Sequence, residues 1–294
     1  MHNDTASVTA LTVLQGILHI ARNPVHKGLV PEPLANDCYA ILAASKEGKK
    51  RIRQIENPWQ YKMIALKEKL LLPGLGLHYV LRKLYIEDYV TRCLNDGVTQ
   101  CVNLGAGFDG LLPRLCKEFT EVNFVEVDHP ATQAVKLESL GIAMNKTGNF
   151  NFLPMQFDKQ NIEEELARAT FFFSEKPTVF IIEGVLMYLS SEQVCQLFTS
   201  LKKICKNFKI IFTAAEPFGK HTDSYGWLFR LYLGIMGEPL AWMCDRESLT
   251  PYIDKLSYRV NHISSAEALR RRYLPSDFTG PLQAIEYIAC CEPS

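Results

Sequence analysis

The sequence predicts an α/β fold: a mostly parallel sheet with helices on both faces and antiparallel pairing at one edge, an N-terminal helical cap and a lid insertion. Three observations predict it. From Thr5 to Asp96 apolar residues recur at three- and four-residue spacing, as in Val8, Leu11, Leu14 and Leu18, with no period-two segment. After Gly97, five short apolar runs alternate with amphipathic stretches. The first of these runs leads into a glycine turn, Gly105-Ala106-Gly107, ahead of a helical pattern.

The elements follow in order. Breakers at Pro24, Pro31, Pro33, Pro58 and Pro73-Gly74 divide residues 1–96 into four expected helices, read as a cap belonging to the same domain. Residues 97–294 form the expected core. Its strands are Gln100–Leu104, Asn123–Val127, Phe152–Met155, Thr178–Ile182 and Lys209–Thr213. Two later runs, Tyr258–Ile263 and Ala284–Cys290, supply the antiparallel pair. Between the fifth strand and this pair lies an insertion at about 216–248, rich in aromatic residues (Phe218, Tyr225, Trp227, Phe229, Tyr232, Trp242) and too long for a tight connection. A substrate lid is expected there.

Composition narrows the function. Of 294 residues 47% are apolar, and 32 Lys plus Arg balance 32 Asp plus Glu, so no bulk field attracts nucleic acid or anionic membrane. The short basic runs Lys49-Lys50-Arg51 and Arg270-Arg271-Arg272 read as solvated surface. The nine cysteines are odd in number and show no paired CxxC spacing, which favours free thiols in a reducing compartment over a disulfide framework or a metal site. Met1 to Ala10 lacks a basic segment, and Thr12, Gln15 and His19 interrupt the apolar stretch that follows. Neither a signal peptide nor a membrane span is indicated, and a cytoplasmic protein without nucleic-acid or membrane partners is expected.

In an open parallel sheet, ligands bind beyond the carboxyl ends of the strands. The first strand ends in Gly105-Ala106-Gly107-Phe108-Asp109-Gly110, where glycines let a ligand approach the backbone without an intervening Cβ. This run also satisfies the GxGxxG spacing of a nicotinamide dinucleotide site, so the turn alone leaves the cofactor open. The second strand ends in Glu126-Val127-Asp128, placing an acid where ribose hydroxyls can donate to it. Gln156-Phe157 follows the third strand, an amide and a ring able to bracket an adenine. Glu183 closes the apolar fourth strand and needs a counter-charge, from a cationic ligand or a structural ion pair.

The runs Val102-Asn103-Leu104-Gly105-Ala106-Gly107-Phe108-Asp109, Phe124-Val125-Glu126-Val127-Asp128-His129-Pro130 and Glu183-Gly184-Val185-Leu186-Met187-Tyr188-Leu189 resemble, in order and spacing, the signature blocks of the leucine carboxyl methyltransferase family. Upstream, Asn36-Asp37-Cys38-Tyr39-Ala40 is similar to the family's DPYA segment, and Leu81-Arg82-Lys83-Leu84-Tyr85-Ile86-Glu87-Asp88 to its arginine-led helix. Ala215-Glu216-Pro217-Phe218 and Gly237-Glu238-Pro239-Leu240 look like the bacterial, small-molecule branch. The resemblance implies a class I S-adenosylmethionine-dependent O-methyltransferase with a Rossmann-like sheet, releasing S-adenosylhomocysteine. Carried over by position, it implies that Arg82 binds the methionyl carboxylate and that Gly105, Ala106 and Gly107 receive the cofactor backbone. Asp128, with Glu126 as a second acid, then holds the ribose, Gln156 and Phe157 flank the adenine, and Glu183 lies near the methionyl amino group. Three positions depart from the pattern: Gly110 replaces a threonine, Gln156 replaces an aspartate, and Leu84 stands where bacterial members carry a second arginine.

A carboxylate acceptor, with an ordinary pKa near ~4, is ionised at neutral pH and needs no general base. A phenol or alcohol would need one, and His221 or Glu216 would be the candidates, with Tyr188 placed to orient an acceptor. The expected activity is methyl transfer to a carboxylate of a small molecule or of a peptide C-terminus. The alternatives are a cofactor-binding protein without turnover and a nicotinamide-dependent oxidoreductase.

Overall fold

The computed structural model describes residues 8–26, 28–141, 148–157, 159–217, 219 and 240–294. Ahead of the sheet it shows five α-helices among the described residues: α1 Val8–Ala21, α2 Glu32–Ala44, α3 Lys46–Glu56, α4 Pro58–Leu71 and α5 Leu75–Asn95. The proline breakers predict four. The extra boundary is at Ser45, an extended residue whose hydroxyl accepts from the Gly48 amide at 2.9 Å and starts α3. Gly48 also fits where α2 ends, because a Cβ there would stand 2.0 Å from the Leu42 carbonyl oxygen. Pro58 begins α4 beneath an Asn57 cap, the position where a missing amide hydrogen is harmless.

The sheet contains β1 Gln100–Leu104, β2 Asn123–Asp128, β3 Phe150–Pro154, β4 Thr178–Ile182, β5 Phe208–Ala215, β6 Tyr258–Ser264 and β7 Glu286–Pro293, in the order β3-β2-β1-β4-β5-β7-β6. The first five run parallel. Within the pair expected at the edge, only β7 runs against the others: it is antiparallel to β5 and to β6, so β6, the outermost strand, resumes the parallel direction. Connecting helices are α6 Leu111–Glu118, α7 Pro130–Leu140, α8 Ile162–Arg168, α9 Ser191–Ile204, α10 Arg246–Lys255 and α11 Ala266–Tyr273.

Strand alternation sends successive side chains to two separate cores. Cys101, Phe124, Val179, Ile181, Ile211 and Ile288 pack in one cluster with Leu14, Ile17, Ile41, Leu81 and Ile86 of α1, α2 and α5. Val102, Leu104, Val125, Phe180 and Phe212 pack on the opposite face with Leu166, Phe198 and Leu249 of α8, α9 and α10. The N-terminal helices therefore share the cover of one face of the sheet with α6 and α11. That brings α5 across the strand ends, where charged side chains gather.

Candidate functional site

The glycine turn after β1 is stitched to β2 by the amides of Gly105 and Ala106, which donate to the Val127 carbonyl at 2.8 and 3.2 Å. Gly105 has φ +73°, and a Cβ there would come within 2.3 Å of Val185 Cγ2, so this position excludes a side chain on two grounds. The Asp128 carboxylate closes on the same turn: Oδ2 accepts from the Gly107 amide at 2.5 Å, and Oδ1 from the His129 amide at 2.6 Å. Burial raises the pKa of Asp128, and the two amides work against that rise. An acid is thereby fixed at the end of β2 beside the partly buried backbone of the turn.

Beneath the turn lies a chain of charges. On α5, Arg82 donates through Nε to Glu183 at 2.8 Å and through Nη1 to Glu286 at 2.6 Å. Its neighbour Lys83 bridges Glu183 and Asp109 at 3.0 and 3.1 Å. His78 Nε2 lies 3.1 Å from Glu286. None of the Arg82, Lys83, Asp109, Glu183 and Glu286 side chains is more than 12% exposed. Burial acts against ionisation of Asp109 and Glu286, but the adjacent cations outweigh it: Asp109 falls below its usual value through Lys83, and Glu286 is held at about 2 through Arg82 and His78. Lys83 is likewise raised by Asp109 and Glu183 in spite of its burial. Both signs of charge are thus fixed, dry and interleaved at the ends of β1 and β4.

Of the residues singled out from sequence, Arg82, Gly105, Ala106, Gly107, Asp128 and Glu183 come together here. Glu126 does not. It is fully buried and faces α7, where Lys136 Nζ donates to it at 2.6 Å. Alternation along β2 puts Glu126 and Asp128 on the same face, but only Asp128, at the strand end, is left partly exposed. Burial lifts Glu126 to about 7, with Lys136 offsetting part of the rise. Gln156 and Phe157 are half-buried beyond β3, and Phe157 borders a cavity of about 300 Å³ shared with Met155, Ile162, Leu189 and Leu197.

Tyr188 ends a short 3-10 turn after Glu183, half-buried. Glu216 is buried against Arg246, with Nε to Oε1 at 2.5 Å, and does not stand open at a strand mouth. His221 and most of the expected lid lie outside the described residues. The described end of that insertion returns beside Tyr188: the amides of Ala241 and Trp242 donate to the Met187 carbonyl at 2.8 and 3.2 Å, and Trp242 is buried.

Lys83, Asp109, His78 and Glu286 escaped the sequence reading as site members. Lys83 and Asp109 stand inside recognisable runs, and charges in otherwise buried segments were the available signal. Glu286 was hidden by topology, because β7 runs backwards and so starts, rather than ends, at the carboxyl edge opposite Ala215. Leu84 is the departure that removes a second arginine, and Lys83, one residue earlier, supplies a cation to the same helix. Gly110 too has a structural counterpart. A Cβ on it would sit 2.3 Å from Asp37 Oδ2, and that carboxylate, 2.5 Å from Arg114 Nη1, docks α2 onto the turn.

A family model described as leucine carboxyl methyltransferase matches residues 20–202. The chain belongs to the leucine carboxyl methyltransferase family. Leucine carboxyl methyltransferase 1 of Caenorhabditis elegans is 29% identical over 170 residues, 49% of this chain and 50% of the worm protein. A Mycobacterium avium (strain 104) protein, provisionally named an S-adenosyl-L-methionine-dependent methyltransferase, is 26% identical over 85% of this chain and 81% of its own length. The similarly named YktD of Bacillus subtilis (strain 168) is 33% identical over 41% of this chain and 39% of its own. The chain thus spans half or less of two of these relatives. Among solved structures, a provisionally assigned methyltransferase from Thermobifida fusca YX superposes with TM-score 0.59 at 13% identity, covering 92% of this chain and 98% of that one. A DUF574 family protein from Streptomyces avermitilis gives 0.58 at 11%, covering 81% and 91%. The fold is that of class I methyltransferases.

Proposed function

We propose that this family member is an S-adenosylmethionine-dependent O-methyltransferase acting on a carboxylate, of a small molecule or of a peptide C-terminus. The observation that carries the reading is the interleaved pair of signs at Arg82, Lys83 and Glu183 beside a turn that admits only glycine at 105. The methionyl end of the cofactor carries a carboxylate and an ammonium, and it meets donors and an acceptor that are already desolvated and held in place. Arg82, assisted by Lys83, grips the carboxylate; Glu183 accepts from the ammonium; the backbone of Gly105-Ala106-Gly107 lies along the cofactor. Asp128, not Glu126, accepts from the ribose hydroxyls. Gln156 and Phe157 bracket the adenine, Phe157 from the edge of the 300 Å³ cavity.

When bound, the cofactor supplies an electrophilic methyl group on a sulfonium. The protein's task is then to hold the acceptor oxygen in line with that methyl and to exclude water. Tyr188, beside the returning Ala241-Trp242 segment, orients the acceptor, and an ionised carboxylate makes a base unnecessary. The family name of the worm relative supports a carboxyl acceptor, and the binding of Glu216 by Arg246 fits a reaction in which it removes no proton.

Calorimetric titration with S-adenosylhomocysteine tests the cofactor assignment: Arg82→Ala and Asp128→Ala should each weaken binding at least about tenfold, and unchanged affinity in both overturns it. Labelled methyl transfer to a panel of acids, phenols and carboxyl-terminal peptides tests the acceptor. A methyl ester is released by mild alkali, whereas a base-stable product overturns the carboxyl reading.

A further inference from the structure

Helix α4 buries none of its residues, although it is half apolar. Its inner side is anchored by two contacts: the Tyr61 ring lies tilted against His19 with ring centroids 4.3 Å apart, and Glu68 accepts from the Gly76 amide at 3.0 Å. At 3.6 residues per turn, Trp59, Met63, Leu66 and Leu70 fall within an arc of about 60° on the side away from Tyr61 and Glu68. Trp59 is 69% exposed, Leu66 47% and Leu70 59%, and Leu71 adds apolar surface at the C-terminal end with 45%. Lys62 and Lys69 border this stripe on one side and Lys67 on the other, all exposed. No acid borders it.

The neighbouring helix α3 adds exposed Lys46, Lys49, Lys50 and Arg53. From Lys46 to Lys69 eight cations face three carboxylates, a surplus of five positive charges in a chain whose total charge is zero. An apolar stripe on a convex helix, bordered only by lysines whose stems can run along it while their heads reach outward, matches the chemistry of an anionic lipid surface.

We propose that the outer face of α4, with the basic face of α3, is a peripheral docking surface for anionic membranes. The proposed contact is surface seating; no helix among the described residues is long and apolar enough to cross a bilayer. A second copy of the chain fits the surface poorly. A two-fold axis through the stripe would set its lysine flanks, Lys62, Lys67 and Lys69, against the same lysine flanks of the second copy. The sequence-level expectation of no membrane partner rested on zero net charge and on the absence of a spanning segment, and neither reports on a local patch.

Flotation of the full chain with phosphatidylcholine vesicles and with equimolar phosphatidylcholine–phosphatidylglycerol vesicles tests the proposal. The expected result is binding to the anionic vesicles only, weakening as salt rises. A blue shift of tryptophan emission should accompany it and vanish in Trp59→Phe. The triple substitution Lys62→Glu, Lys67→Glu, Lys69→Glu should lower the partition coefficient by about a hundredfold or more. Leu66→Asn with Leu70→Asn should lower it comparably with the charges intact, and circular dichroism with thermal unfolding shows that each variant is folded. Failure to float with anionic vesicles overturns the proposal. Equal binding to both vesicle types, unaltered binding by the triple variant, or a dimer in sedimentation that Leu66→Asn dissolves each overturns it as well.

Discussion

Lys83 is the residue whose role changes most between the linear sequence and the folded chain. Its ammonium ties the acid after β1 to the acid after β4, Asp109 to Glu183. Lys83→Met leaves two buried carboxylates short of a counter-charge, and it is expected to destabilise the protein by roughly 3–5 kcal/mol and to weaken S-adenosylhomocysteine binding. Lys83→Arg should recover most of both, as read by urea unfolding and calorimetry. Glu286 gives a pH signature. It is held at about 2 in the fold against 4.5 as its reference, so its stabilisation is present in full above 4.5 and disappears as pH falls through the folded value. Glu286→Gln should flatten the dependence of unfolding free energy on pH between about 4.5 and 2. Glu126 has the opposite sign. Raised to about 7, it holds its proton longer in the fold than in the unfolded chain and so subtracts stability as pH climbs from 4.5 to that value. In Glu126→Gln the part of the slope across that window that Glu126 contributes should disappear, whatever the absolute stability left by an unpaired Lys136.

At the scale of elements, Gly110 and α2 are coupled. The backbone of Gly110 is ordinary, with φ −87°, so the obstacle to a side chain is the Asp37 carboxylate and not strain. Gly110→Ala should cost about 1–3 kcal/mol through this overlap. In an Asp37→Ala background the penalty should shrink, and a double-mutant cycle measured by chemical unfolding checks it. A glycine that looks from sequence like a departure in the cofactor turn is, in three dimensions, a seat for the cap. Helix α9 offers a simpler case. Ser190 and Gln193 form a reciprocal capping box, and Ser190→Ala should cost about 1 kcal/mol.

For the whole molecule, the shared core decides how it folds. Among the described residues, Phe124, Val179, Ile181, Ile211 and Ile288 pack in a cluster to which α1, α2 and α5 contribute Leu14, Ile17, Ile41, Leu81 and Ile86, beside Leu111, Leu112 and Leu115 of α6 and Leu269 of α11. Each such side chain is worth about 1.5–3 kcal/mol when buried. A chain beginning at Gly97 is therefore expected to lack a cooperative thermal transition, while the full chain unfolds in one step. Two separate calorimetric transitions for the full chain would contradict this shared core.

How much of this was readable in one dimension follows from which forces are local. Periodicity, turn glycines and apolar runs are properties of adjacent residues, so β1 and β4 coincide with their expected bounds and Gly105, Asp128 and Glu183 could be placed at strand ends by sequence alone. The break at Ser45 was missed because a serine cap is a weaker signal than a proline. Burial of Glu126 was missed because its partner Lys136 sits on a later helix, and the reach of Glu286 because strand direction is set by pairing with β5 and β6. Sequence by itself determined the fold class, the family and most of the strand-end residues, since these depend on local pattern and motif spacing. Only the tertiary structure decided which charges are partners, which acid faces the turn, and that α4 presents its apolar side outward, because burial and electrostatic pairing depend on what the rest of the chain brings alongside.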